Sequence, residues 1–206
     1  MDNIPIFDIV FDEVNGGVNT VSLVSSPAME SAWLAFNHST AQYKLQSEEK
    51  RLILGALLIP DKLVLRRDDS GNPFFIRFSK DVIEKTVYKY FKTSKTNNTN
   101  AEHDQEWTLD GVYMVSSFIK DSSMGINPPV ELQDHPDGTW FGMFRVEDDE
   151  VWERYIKEGV FTGFSIEGIY SLADTGESAS LAMSKEDKEL EELADMILSK
   201  LDTLVD

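Results

Sequence analysis

Two short runs in this sequence hold the residue types best suited to covalent chemistry. One is Gly163-Phe164-Ser165-Ile166-Glu167-Gly168 and the other is Glu102-His103-Asp104. A serine hydroxyl is a weak nucleophile until a base within hydrogen-bond reach takes its proton. The chain has only three histidines, His38, His103 and His135, so the choice of base is narrow. His103 stands where a polar stretch meets strand-like sequence. The carboxylates of Glu102 and Asp104 on either side would favour the imidazolium formed during acyl transfer. Gly163 and Gly168 leave room for a substrate backbone to approach Ser165. The pattern G-x-S-x-x-G differs from the G-x-S-x-G elbow of α/β-hydrolases. Taken by itself it suits a strand serine bonded to its neighbours better than a nucleophile.

The other candidates are weaker. His135, in Asp134-His135-Pro136-Asp137-Gly138, is a rival base or a third triad member, although turn chemistry accounts for every residue there. His38 sits in a polar stretch where a solvated ring is the ordinary outcome. No metal-ligand spacing such as H-E-x-x-H occurs on one element, and there is no phosphate-binding glycine loop. No metal or cofactor is therefore expected. The cluster Asp148-Asp149-Glu150 suits the N-terminus of a helix.

Composition bounds what these residues can serve. The chain has 206 residues, enough for one substantial core, and 41% of them are hydrophobic. There is no cysteine, so disulfides and thiol chemistry are excluded. The formal charge of −18 argues against binding nucleic acid, whose phosphates it would repel. No run approaches the roughly 18 apolar residues of a membrane span, and the first residues lack the pattern of a secretory signal.

The elements that must position Ser165 and His103 can be read from periodicity. Residues 1–36 suggest two strands joined by a hairpin turn at Asn15-Gly16-Gly17, then a short helix from Met29 to Phe36. Residues 37–50 are polar and read as a linker. Residues 51–172 form the main domain. It opens on a buried strand from Arg51 to Ile59 and a turn at Asp68 to Pro73, with a returning strand from Phe74 to Phe78. Next comes a helix capped by Ser79 whose apolar face is Val82, Ile83, Thr86, Val87, Tyr90 and Phe91. Strands are predicted at Val112 to Ile119, Thr139 to Val146 and around Ser165, with a short helix at Asp149 to Lys157. Residues 173–206 are acidic. They begin with a small, polar, flexible-looking stretch from Ala173 to Met183. An amphipathic helix follows whose stripe is Leu190, Leu193, Ala194, Ile197, Leu201 and Leu204. That stripe needs a partner, either its own domain or another chain.

In order and spacing these pieces resemble the XkdF-type serine proteases of tailed phages, relatives of the prohead proteases. The resemblance runs from Val21-Ser22-Leu23-Val24-Ser25-Ser26-Pro27-Ala28 through Ile59-Pro60-Asp61-Lys62, Glu102-His103, Gly138-Thr139-Trp140 and Trp152 to Gly163 to Gly168. It implies an α+β, herpesvirus-protease-like fold: a small, mostly antiparallel β-barrel with flanking helices, here followed by the C-terminal amphipathic helix. It implies a serine endopeptidase acting on scaffold and major capsid precursors inside the immature head, in the host cytoplasm. Ser165 matches the nucleophile and His103 the base. The family's glutamate before a Ser-aromatic-Ile strand is replaced here by Ser116, which leaves Glu102, Asp104, Asp121, Asp134 or His135 as third member. The replacement also admits an inactive relative with a structural or scaffolding role in the head. Self-cleavage is expected between about 173 and 184.

Overall fold

A computed structural model describes residues 3–36 and 50–180. The chain is mostly β, with twelve strands and one α-helix among these residues. In order they are β1 (Ile4–Val10), β2 (Gly17–Val24), β3 (Leu34–Phe36), β4 (Leu52–Leu58), β5 (Val64–Arg67), β6 (Pro73–Arg77), α1 (Lys80–Lys92), β7 (Thr99–Ala101), β8 (Asp104–Thr108), β9 (Val112–Ile119), β10 (Trp140–Val146), β11 (Gly163–Ile169) and β12 (Ser171–Ala179).

The strands make three four-stranded sheets, in the orders β12-β1-β6-β5, β3-β4-β10-β9 and β11-β2-β7-β8. The β1–β6 and β2–β7 pairings are parallel and the others antiparallel. The expected small barrel therefore does not close among the described residues: the sheets are open and mixed. Strand β2 cannot fold back on β1, because β1 is taken by β12 and β6 while β2 is taken by β11 and β7. The predicted hairpin is instead a connection between sheets. Asp12 closes it, accepting the N–H groups of Val14 and Asn15 at Oδ1 and that of Gly16 at its carbonyl.

Apolar burial unites the layers. Strand β4 is buried along nearly its whole length, as its unbroken apolar run predicts. The rings of Trp140, Phe141, Phe144 and Phe164 pack with it in one core. Phe144 and Phe164 lie 4.8 Å apart and so tie β10 to β11. Helix α1 starts where Ser79 Oγ accepts the Val82 N–H, with Asp81 in its first turn and Lys89 and Lys92 in its last. Val82, Ile83, Thr86, Val87 and Tyr90 are buried as predicted, whereas Phe91 is exposed.

Other local expectations are corrected. Met29 to Phe36 is not a helix: a turn leads into β3, whose short pairing with β4 outweighs the weak helical period. The helix predicted at Asp149 to Lys157 is present, but its type differs: Val151–Ile156 is a π-helix, with Asp148 Oδ1 accepting the Val151 N–H at its start. Of the stretch from Ala173 to Met183 that composition marks as flexible, the part up to Ala179 belongs to strand β12, on the edge beside β1. A polar edge strand draws its stability from the backbone ladder, which composition does not reveal. Self-cleavage between 173 and 179 would therefore have to unzip β12. The expected linker at 37–50, apart from residue 50, lies outside the described residues, as do residues 181–184 and the expected C-terminal helix.

A chain ended after residue 170 should melt about 5–10 °C below one ended after 180, because β1 loses its antiparallel partner. Equal melting temperatures by calorimetry would show that β12 adds nothing to the fold.

Candidate functional site

Strand β2 organises the candidate site. Ser22, near its middle, pairs with Ser165 of β11 on one side and with Asn100 of β7 on the other. Directly opposed residues project from the same face of a sheet, and so do residues two apart on one strand. Ser22, Ser165, Glu167 and Asn100 therefore share a face. Glu167, two residues beyond Ser165, reaches back diagonally to β2.

His103 comes to this face from the β7–β8 connection. Ala101 pairs with Asp104, so Glu102 and His103 form a two-residue hairpin loop. Both have positive φ, 51° and 61°. This is the combination of a type I′ turn, which asparagine and glycine normally fill. Non-glycine residues in this region cost on the order of 1–3 kcal/mol each, and such strain gathers at functional sites. The tip is pinned by the Glu102 N–H donating to the Leu23 carbonyl at 3.0 Å and by Glu102 Oε1 accepting the Ser25 N–H at 2.7 Å.

The side chains then close a network. The Ser22 hydroxyl donates to Glu167 Oε1 at 2.9 Å. Having spent its one proton there, it can only accept from His103 Nδ1, 3.0 Å away. Glu167 Oε1 is 3.3 Å from the same nitrogen and receives the Asn100 amide at 2.7 Å. The hydrogen-bond network thus assigns the proton of the neutral ring to Nδ1 and leaves the lone pair on Nε2. That is the state in which a histidine serves as general base, with a carboxylate fixing its tautomer. Burial raises the Glu167 carboxyl, but hydrogen bonds from Asn100, Ser22 and His103 together outweigh it and set its pKa below the ordinary value.

Glu167, Ser22 and Asn100 were not among the predicted site residues. The signal for Glu167 was its i+2 spacing from Ser165 within a strand. Ser22 offered only a polar side chain in an apolar alternation, and Asn100 offered none.

The structure separates the remaining candidates. Ser165 is buried, with 4% exposure, and lines a cavity beside β11. Among the described residues no hydrogen bond joins it to His103. Glu102 is occupied by the Ser25 N–H. Asp104 accepts the Glu106 N–H at the start of β8. Asp121 caps a 3₁₀ turn, and hydrogen bonds from the Ser123 hydroxyl and the Met124 and Ser123 N–H groups hold its carboxyl low. Asp134 is exposed.

His135 belongs to a different pair. Its Nδ1 bonds the Leu132 carbonyl at 3.0 Å, its Nε2 meets Ser31 Oγ at 2.9 Å, and its ring packs edge-on against Phe141. This clamps the 27–33 loop over β11. Gly163 lies under that loop, where an added Cβ would meet Pro27 at 2.7 Å, while one at Gly168 would meet the Gly17 carbonyl at 2.4 Å. Close packing therefore explains both glycines, and Gly168 also borders the cavity. Ser116 lies exposed on β9, in another sheet from His103. No group of three His, Asp or Glu side chains placed to hold a metal occurs among the described residues, and no helix among them is long and apolar enough to cross a membrane.

A hydroxyl, an imidazole and a carboxylate gathered on one face of a β-sheet are the parts of a serine hydrolase. A family model described as "Putative phage serine protease XkdF" matches residues 41–174. The match covers more than half of the chain, and the chain belongs to that family. No curated protein and no solved structure matches it. Ser22 lies outside the matched segment, while His103, Ser165 and Glu167 lie within it.

Two measurements test this site. His103→Gly and His103→Ala both remove the imidazole, but only glycine relieves the positive φ. The glycine variant should melt about 2–4 °C above the alanine variant. Glu167 has a lowered folded pKa, so its contribution is complete above the unfolded value of about 4.3 and is lost as pH falls through the lower folded one. It stays ionised throughout the range where imidazoles titrate. The acid limb of the pH–rate profile should therefore show one ionisation. A slope of two would mean that Glu167 titrates with the histidine.

Proposed function

We propose that this chain is a serine endopeptidase that cleaves scaffold and major capsid precursors within the immature phage head, in the host cytoplasm. Ser165 attacks the scissile carbonyl. His103 Nε2 takes the hydroxyl proton and returns it to the leaving amine. Glu167, through its contacts with Ser22 and with Nδ1, holds the ring in its tautomer and offsets the imidazolium charge.

The observation that carries this reading is the Glu167 carboxylate on the Nδ1 side of His103, on the same strand face as Ser165. Two residues along a strand span roughly 6–7 Å. An imidazole held between two hydrogen bonds of about 3 Å can bridge that separation. Family membership supports peptidase chemistry. The resemblance of the sequence to prohead proteases supports the head substrates and a herpesvirus-protease-like ancestry. The apolar stripe that the sequence places from Leu190 to Leu204 supports self-association through an amphipathic helix there; light scattering on a chain ended at residue 180 would then report a smaller assembly.

One observation favours a second reading of the nucleophile: Ser22, rather than Ser165, touches His103 directly. Against it, the Ser22 proton is committed to Glu167, and the cavity beside β11 is lined by Ser165 and not by Ser22.

Coexpression with the scaffold and capsid proteins separates these readings. Wild type should process them, Ser165→Ala and His103→Ala should lose about 10⁴-fold or more, and Glu167→Gln roughly 10²–10⁴-fold. Ser22→Ala should keep measurable cleavage. Loss in Ser22→Ala with retention in Ser165→Ala would move the nucleophile to Ser22. A wild-type chain that leaves both precursors whole and stays in the particle would instead be a structural head component.

A further inference from the structure

The cavity beside Ser165 holds a guanidinium that forms no ion pair with a carboxylate of the described residues. It measures about 370 Å³ and runs from Ser165 and Gly168 on β11 to an apolar wall that includes Ile9, Phe74, Phe78 and Tyr170. Into it comes the side chain of Arg66, from β5. This guanidinium donates from Nη1 to the carbonyl of its neighbour Leu65 at 3.0 Å. Burial lowers its pKa below the ordinary arginine value.

Such an arrangement is costly in this chain for no internal reason. The sequence has 37 acidic residues against 19 lysines and arginines, so carboxylates are abundant. Arg51, Arg77 and Arg154 each hold one or two, whereas Arg67 and Arg145, which do not line the cavity, bond backbone carbonyls. Arg66, partly buried among apolar side chains, holds none among the described residues. A desolvated cation is stabilised by an anion brought to it, and the planar guanidinium fork fits a carboxylate with two parallel hydrogen bonds. Glu167 also borders the cavity, but its Oε1 is engaged by Asn100 and Ser22.

The second feature is backbone. Strand β11 is an edge of its sheet, paired on one side only by β2. Its outer side is covered near Gly163 by a bridge to Ala32 and by the Trp33 N–H on the Thr162 carbonyl. From Ser165 to Gly168 that edge borders the cavity instead. An extended peptide can add there as a further strand, its main chain pairing with β11 and one side chain entering the cavity.

We propose that this cavity is a specificity pocket for an acidic side chain of the substrate, with Arg66 as its recognition residue. The inference rests on the endopeptidase reading above and adds the substrate class: an extended peptide with a glutamate or aspartate close to the bond that Ser165 attacks.

Two experiments on the full chain test it. In the first, peptides from a lysine-specific digest of a bacterial lysate are incubated with the protein, and new termini are read by mass spectrometry. Wild type should enrich acidic residues at one fixed position from the cut by about tenfold or more. Arg66→Gln should abolish the enrichment, and Arg66→Glu should turn it toward lysine and arginine. Cuts with no charge preference overturn the pocket assignment and leave proteolysis standing. If nothing is cut, the endopeptidase reading fails and the second experiment decides the pocket alone. The Arg66 Nε–H and the amides of Ser165 to Gly168 are followed by NMR during titration with acetyl-Ala-Glu-Ala-amide, acetyl-Ala-Gln-Ala-amide and acetyl-Ala-Gln-Ala with a free C-terminus. Shifts with the glutamate peptide alone support the proposal. Equal shifts with all three, no shifts with any, or shifts with the free C-terminus alone overturn it, the last by assigning Arg66 to a main-chain carboxylate.

Discussion

The candidate site depends on one hydroxyl, that of Ser22. It donates to Glu167 on β11 and accepts from His103 on the β7–β8 hairpin. A single side chain thereby ties together the two elements that carry the carboxylate and the imidazole. Its backbone does the same, since β2 pairs with β11 and β7 at once. The site is thus fixed by strand register. A one-residue slip of β11 against β2 would turn Glu167 and Ser165 to the opposite face and take the carboxylate away from the ring. The Phe164 ring opposes that slip. Its burial against Trp33 and Phe144 requires the core-facing register that keeps Ser165 and Glu167 on the other face.

The strained hairpin makes sense against this register. An Asn-Gly turn would relax Glu102 and His103 but could present no imidazole. Instead a histidine occupies a position that backbone energetics reserve for smaller residues, and Glu102 offsets part of the cost by binding the Ser25 amide. The two members of Glu102-His103 therefore have different tasks. His103 faces the carboxylate, while Glu102 anchors the loop that carries it.

Much of this was legible in the sequence and some was not, for identifiable reasons. The buried run of β4, the turn before β6, the Ser79 cap and the bounds of β9 follow from local patterns, and the structure keeps them. The runs around Ser165 and His103 stood out because their residue types are reactive and rare. Glu167 is not legible in this way, since the carboxylates nearest His103 in sequence are Glu102 and Asp104. At a hairpin tip those neighbours point away, and the partner arrives from a strand some sixty residues on. Ser22 and Asn100 meet the site only through pairing between distant strands, which local periodicity does not encode. The parallel β1–β6 and β2–β7 pairings have the same origin: they are non-local, and they turn an expected barrel into open sheets.

The overall charge bears on what the site can admit. At −18 the surface repels an acidic peptide at long range, so a preference for acidic side chains cannot come from the general field. It has to come from within about one Debye length, roughly 8 Å at physiological salt, where Arg66 faces an apolar wall and is weakly screened. Added salt then acts in opposite directions on the two steps. It eases the approach of an acidic chain to a like-charged protein, and it weakens the carboxylate–guanidinium contact less than a fully exposed one because Arg66 is partly buried. A pocket selective for acidic side chains on an acidic protein is therefore physically consistent: distant repulsion slows every acidic segment alike, and the local cation decides which one stays beside Ser165.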